Sequence, residues 1–122
     1  MIRKALTAVL LSASAVCAQE APDGLADAPG AFLRGLDKVA GAASDITLSV
    51  GQVAPYGSLA VRLEACRYPA EDPASNAYAF LHITDTMIGE VVFEGWMIAQ
   101  NPALSALDHQ RYDVWVLRCN TD

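Results

Sequence analysis

Basic residues are scarce in this chain. Eight lysines and arginines stand against fourteen aspartates and glutamates, for a net charge of −6 over 122 residues. With no basic cluster, the chain is a poor partner for nucleic acid or an anionic lipid surface. Cysteines number three and histidines two. There is no GxSxG turn to present a serine, and no HExxH, paired CxxC or EF-hand loop to gather a metal. No apolar run reaches the ~20 residues that cross a bilayer as a helix. Internal repeats and long low-complexity tracts are missing too, and a chain of this length holds one domain.

What is present begins with an export signal. In MIRKALTAVLLSASAVCAQE, Arg3 and Lys4 form a positive start, Ala5 to Val16 an apolar stretch, and Val16-Cys17-Ala18 offers small residues to a signal peptidase. Cleavage is expected after Ala18, which makes residues 1–18 a signal peptide and the mature protein periplasmic. Acylation of Cys17 fits badly, because Ser14-Ala15-Val16 lacks the leucine and small residue that precede a lipidated cysteine. Loss of Arg3 and Lys4 leaves six basic residues against fourteen acidic ones, a net charge of −8. Cys17 leaves with the signal, so Cys66 and Cys119 remain as a pair in an oxidising compartment. A bond between them closes a loop of about fifty residues and contributes roughly 4 kcal/mol in the loop-entropy model. The alternative is two buried free thiols.

Residues 19–30, QEAPDGLADAPG, hold almost nothing to bury and read as a disordered acidic tether. The β-domain is expected over 31–122. Its apolar pattern has period two. DITLSV sets Ile46, Leu48 and Val50 inward against Asp45, Thr47 and Ser49. Pro55 and Gly57 read as turn residues in APYGS. SLAVRLEAC, AYAFLHITD, EVVFEGWMI and YDVWVLRC are further strands, and AFLRGLDKV reads as a first strand or a short helix, with the strand favoured. About six short strands, with one short helix and a disulfide, indicate a small antiparallel β-sandwich or barrel. One detail breaks the alternation: Cys66 has the parity of Arg62 and Glu64, so either a bulge shifts the register or the disulfide lies at the rim.

The stretch GWMIAQNPALSALDHQRYDVW, from Gly95 to Trp115, is the richest in chemistry. Asn101-Pro102 predicts a helix start, with Leu104 and Leu107 on one face capping the β-core. His109 then falls near a helix C-terminus, with Asp108, Arg111 and Asp113 close enough in sequence for a local ion-pair cluster. An Asp108–His109 base lacks a serine or thiol presented to it. His82, Asp85 and His109 make the minimum for a zinc site, but no spacing gathers them. The aromatics point elsewhere. Tyr112, Val114 and Val116 face one way and Trp115, Leu117 and Cys119 the other, while Phe93, Gly95 and Met97 oppose Val92, Trp96 and Ile98. Both faces are apolar, as in central covered strands or in an exposed patch for a partner. The candidate patch is Phe93, Trp96, Tyr112 and Trp115.

The blocks LRGLDKVAG (33–41), FEGWM (93–97), PALSALDH (102–109) and YDVW (112–115), with Cys119, resemble the exported bacterial proteins grouped as domain of unknown function 2155. The likeness runs from about Leu33 to Cys119. Gln110 and Ala40 depart from it, where proline and threonine are expected. The family carries no activity, cofactor or catalytic residue over to this chain. Its genes often lie beside one for a small accessory subunit of respiratory complex I, and the resemblance therefore implies an envelope protein with a place on that complex.

These readings converge on a non-enzymatic periplasmic accessory or binding module that needs no cofactor and docks on a protein partner, a membrane respiratory complex among them. Two rivals stand beside it. One is a small hydrolytic or metal-dependent enzyme using His82, Asp85, Asp108 and His109. The other is a soluble carrier of a small apolar ligand inside a barrel.

Overall fold

The computed structural model describes residues 24–122. The expected signal peptide and the first part of the expected tether, through residue 23, lie outside the described residues. Eight strands follow: β1 (Leu25–Ala28), β2 (Gly30–Asp37), β3 (Ala42–Ser49), β4 (Val53–Tyr56), β5 (Leu59–Pro69), β6 (Tyr78–Asp85), β7 (Glu90–Ile98) and β8 (Tyr112–Asn120). A 3₁₀ turn at Pro102–Leu104 separates the last two. The strands form two antiparallel sheets. One runs β1-β5-β6-β7, with β4 also paired to β5; the other runs β3-β2-β8. The architecture is a sandwich with no closed barrel.

Alternation decides what lies between the sheets. Leu59, Val61, Leu63, Leu81, Ile83 and Met97 from the larger sheet meet Leu33, Leu48, Val114 and Val116 from the smaller, each 2% exposed or less. Burial of a side chain of this size contributes roughly 1.5–3 kcal/mol, so this layer carries most of the favourable free energy of folding. With the interior filled by these side chains, the barrel-lumen carrier has no lumen to use.

The parity conflict at Cys66 resolves as a bulge. The β5–β6 register shifts between Leu63 and Ala65, which takes Glu64 out of the pairing and turns Cys66 inward. A second bulge does the same for its partner. Leu33 pairs with Val116 and Phe32 with Arg118, so Leu117 is the extra residue and Cys119 joins the inner face. The expectation that Cys119 shares a face with Trp115 is thereby corrected. The two sulfurs are bonded across the sheets, with Cα atoms 5.8 Å apart. Ala28 and Ala31, opposite Cys66 and Cys119, are small enough to leave the bridge room.

Several other expectations change. Residues 25–28 are not tether but an edge strand: Leu25 to Ala28 pair with Pro69 to Cys66. A four-residue edge strand needs only backbone partners, which is why composition alone hides it. The chain then switches sheets across the single residue Pro29, whose carbonyl accepts from the Val50 amide at 2.8 Å. Pro55 lies inside β4 rather than in a turn; β4 is an edge strand, where a missing N–H costs no ladder bond. Val50 sits beyond the end of β3 and is 43% exposed, while Leu48 is buried and Ile46 half-buried.

Opening the disulfide tests the inter-sheet staple. The loop it closes spans 53 positions, so Cys66→Ala/Cys119→Ala is expected to lower the unfolding free energy by about 4 kcal/mol. Urea titration of the double variant beside the wild-type chain measures the difference.

Candidate functional site

The segment from Ala99 to Arg111 runs from the end of β7 to the start of β8, along the side where the two sheets stop. Its near end is held by Ala99 N donating to the Ala77 carbonyl at 2.9 Å and by Gln100 N donating to Asn76 Oδ1 at 3.1 Å. Pro102 opens the 3₁₀ turn as expected, but Asn101 makes no side-chain cap bond. Ser105 is already extended, at φ −148° and ψ 99°. Three helical residues and a break place Leu104 and Leu107 on different sides. Leu107 is 7% exposed and closes the core, whereas Leu104 is 74% exposed.

At the far end His109 is fixed by every polar atom of its ring. Nε2 lies 2.8 Å from Asp85 Oδ2 at the end of β6. Nδ1 accepts from the Arg111 amide at 3.0 Å and the Tyr112 amide at 3.2 Å. An acceptor at Nδ1 means that the proton sits on Nε2 and is donated to Asp85. The imidazole also lies 5.3 Å from the Tyr112 ring. This corrects the local cluster expected from sequence. Asp108 is exposed and is not the histidine's partner, and the 3₁₀ turn ends too early to act on His109.

Arg111 reaches back to the β2–β3 turn instead, pairing with Asp37 at 3.1 Å. The Asp37 carboxylate also accepts from the amides of Val39 and Ala40. Lys38 donates its ammonium to the His109 carbonyl. Tyr112 is 6% exposed, with the Tyr56 ring edge-on at 5.6 Å and the Arg111 guanidinium 5.4 Å from its centroid. Two glycines make this packing possible. A Cβ on Gly35 would stand 2.5 Å from Tyr56 Cζ, and one on Gly57, whose φ is +56°, would overlap the Tyr112 ring. Burial pushes the Tyr56 phenol above its usual value, reinforced by Asp37 and Tyr112.

Chemically, this corner is a closed lattice. Asp85 also bonds the Met87 amide at 3.0 Å, and the His109 bond above all holds its carboxyl below the usual range against the cost of burial. A general base needs a free nitrogen aimed at a nucleophile, and both nitrogens of His109 are engaged. Ser58 interacts with Asp85, not with the imidazole. His82 lies elsewhere, on the outer face of the larger sheet, with Nδ1 3.3 Å from Glu94 Oε2. The residues named for the hydrolase or zinc reading therefore divide into three places. Among the described residues, no three histidine, cysteine, aspartate or glutamate side chains converge as a metal site.

The candidate aromatic patch also divides. Tyr112 and Phe93 face the interior: Tyr112 is buried, and Phe93, opposite Ile83, packs half-buried against the core. Trp96 faces outward on the larger sheet, and Trp115, opposite Arg34, outward on the smaller one. The parity reading placed Trp96 and Trp115 correctly within their strands, but which sheet each strand joins is a tertiary fact. Around Trp96 the structure adds what sequence reasoning missed. The Phe80 ring meets it edge-on at 5.2 Å, the Arg67 guanidinium lies 5.2 Å from its centroid, and Leu25 and Tyr78 complete a groove of about 360 Å³. The signal was present in the alternation of Tyr78, Phe80 and His82 opposite the buried positions of the same strand. Around Trp115, a second cleft of about 330 Å³ opens between β7 and β8, reaching Met97, Ile98, Pro102, Ala106 and Asp113.

A small two-sheet sandwich, stapled across its sheets and latched by an Asp–His bond, is the class that this fold defines. Residues 31–119 match the family described as "Uncharacterized protein conserved in bacteria (DUF2155)". The chain belongs to that family. It is similar to "Uncharacterized protein RP359" of Rickettsia prowazekii (strain Madrid E), 25% identical over 87 residues that make up 69% of this chain and 56% of that protein. The match thus spans little more than half of that relative's length. No solved structure matches the chain. Much of the family-bearing sequence meets at the latched corner: LRGLDKVAG supplies Gly35, Asp37 and Lys38, PALSALDH supplies Leu107 and His109, and YDVW supplies Tyr112.

Two outcomes test the latch. His109→Phe keeps the ring but removes the bonds to Asp85 and to two amides, and is expected to cost about 1–3 kcal/mol in urea unfolding. Asp37, Asp45 and Asp85 all have pKa values lowered in the fold. The folded state therefore binds fewer protons than the unfolded chain in acid. Their contribution is complete above the ordinary aspartate value of about 4 and is lost as pH falls through the lowered values. Thermal midpoints are expected to stay level near neutrality and to drop below about pH 4, with a shallower drop in Asp85→Asn.

Proposed function

We propose that this protein is a non-enzymatic module of the periplasm that docks on a protein partner in the envelope. Respiratory complex I is the first assembly to test. The signal grammar of residues 1–18 and a disulfide suited to an oxidising compartment support the location. One observation carries the docking reading: the outer face of the larger sheet bears Tyr78, Phe80 and Trp96, all half-buried, beside Arg67, which also pairs with Asp27 at 3.2 Å. A face left to water alternates toward polar residues. Tryptophan, tyrosine and arginine together are the side chains that dominate the centre of protein interfaces.

The test is recovery of the C-terminally tagged chain from membranes in mild detergent, with mass spectrometry of what accompanies it. Stoichiometric recovery of one membrane complex is expected, and Trp96→Ala is expected to weaken it by about 2 kcal/mol or more. The thermal midpoint of Trp96→Ala should fall much less than its binding does. A partner-free chain released with the periplasm, or a loss of folding equal to the loss of binding, would sink the reading.

A further inference from the structure

The two sheets end on the side between β7 and β8. β7 pairs only with β6, and β8 only with β2. Every second residue of each strand therefore turns its N–H and C=O away from its own sheet. The segment before β8 passes over this side. Yet among the described residues no backbone hydrogen bond joins residues 102–108 to either strand. The edge of β8 is left as an open ladder.

Against that edge lies the 330 Å³ cleft, walled by Met97, Ile98 and Trp115 and roofed by Pro102 and Ala106. Among the described residues, Asp113 is the only charged one in its lining. No cation among the described residues pairs with it, although the other carboxylates on the neighbouring turns and strands, Asp37 and Asp45, each hold an arginine. Asp113 and Trp115 share the outer face of β8, two positions apart. Ile98 shares the outer face of β7 with Trp96, so β7 contributes one residue to this cleft and one to the aromatic groove from the same face.

We infer that the cleft receives an extended segment of the protein partner, which adds as a strand along β8. The segment carries a large apolar side chain opposite Trp115 and, two residues away on the same face, a lysine or arginine opposite Asp113. Strand addition supplies the backbone bonds, and alternate side chains supply the selection. The charge is the complement of a lone carboxylate in an apolar lining, on a chain whose net charge is −6. This inference rests on the docking reading above and names the chemistry of the partner's segment.

A blocked octapeptide with arginine and leucine alternating on one face and threonine on the other is the probe, compared with its glutamate-for-arginine counterpart. Both are titrated into the isotope-labelled full chain and followed by amide shifts. Shifts confined to β8, the end of β7 and residues 102–108 are expected, with the arginine peptide bound about two- to fivefold more tightly. Asp113→Asn should remove that preference. Ala103→Trp, on the exposed roof, should weaken both peptides by roughly tenfold or more while leaving the thermal midpoint unchanged. Equal binding of the two peptides, shifts scattered over the acidic surface, or no shifts would overturn the inference. So would the same residues shifting with protein concentration alone, which marks a second copy as the occupant, or shifting only with detergent, which marks an apolar small molecule. In each of those cases the Trp96 comparison still decides the docking reading by itself.

Discussion

The hydrogen bond between His109 and Asp85 fixes how this sandwich closes. The segment from Ala99 to Arg111 must travel the length of the molecule without joining a sheet, and it has one short 3₁₀ turn of its own. Its backbone is tied to Asn76 and Ala77 at the start. At the finish the imidazole takes two amides on one nitrogen and gives its proton to a carboxylate on the other. That single ring sets where β8 begins. From there Tyr112 drops onto Gly57, Arg111 reaches Asp37, and β8 aligns with β2 along its whole length. A carboxylate of low exposure is held charged because the histidine faces it, so the corner depends on the pair and not on either member.

Covalent geometry joins the two sheets as well. The chain crosses from one sheet to the other at Pro29, and the Cys66–Cys119 bridge crosses beside it. Two bulges, one in each bridged strand, bring the sulfurs to the inner layer. Two kinds of closure thus operate. A bond and a chain crossing staple the sheets to each other. Between β7 and β8 they are spanned by a segment pinned mainly at its ends, and the cleft opens under that segment.

Much of the fold is legible from the chain alone, for reasons that differ by element. The limits of β7 follow from its composition, because Glu90 to Ile98 is rich in β-branched and aromatic residues and bounded by turn residues. The break in parity at Cys66 is a sign of the bulge itself. β1 and β4 leave no such trace. Each is four residues long and earns its place through backbone pairing with β5, which composition does not report. The helix expected after Asn101 shrinks to one turn because Leu107 is drawn into the core and His109 to Asp85, and a longer helix would point both elsewhere.

The candidate site divides in the same way. Period-two alternation shows that Trp96 and Trp115 lie opposite the inner residues of their own strands, and the cysteine count narrows the pairing of Cys66 to very few partners. Those are local facts, set by the pleat and by valence. Which sheet each strand enters, that Asp85 rather than Asp108 meets His109, and that Asp37 rather than Asp113 meets Arg111 are decided across 24 and 74 positions of chain. Side-chain periodicity carries no information over such distances. The packing of the two sheets chooses those partners, because it buries the inner faces and brings Asp85 to the imidazole at once.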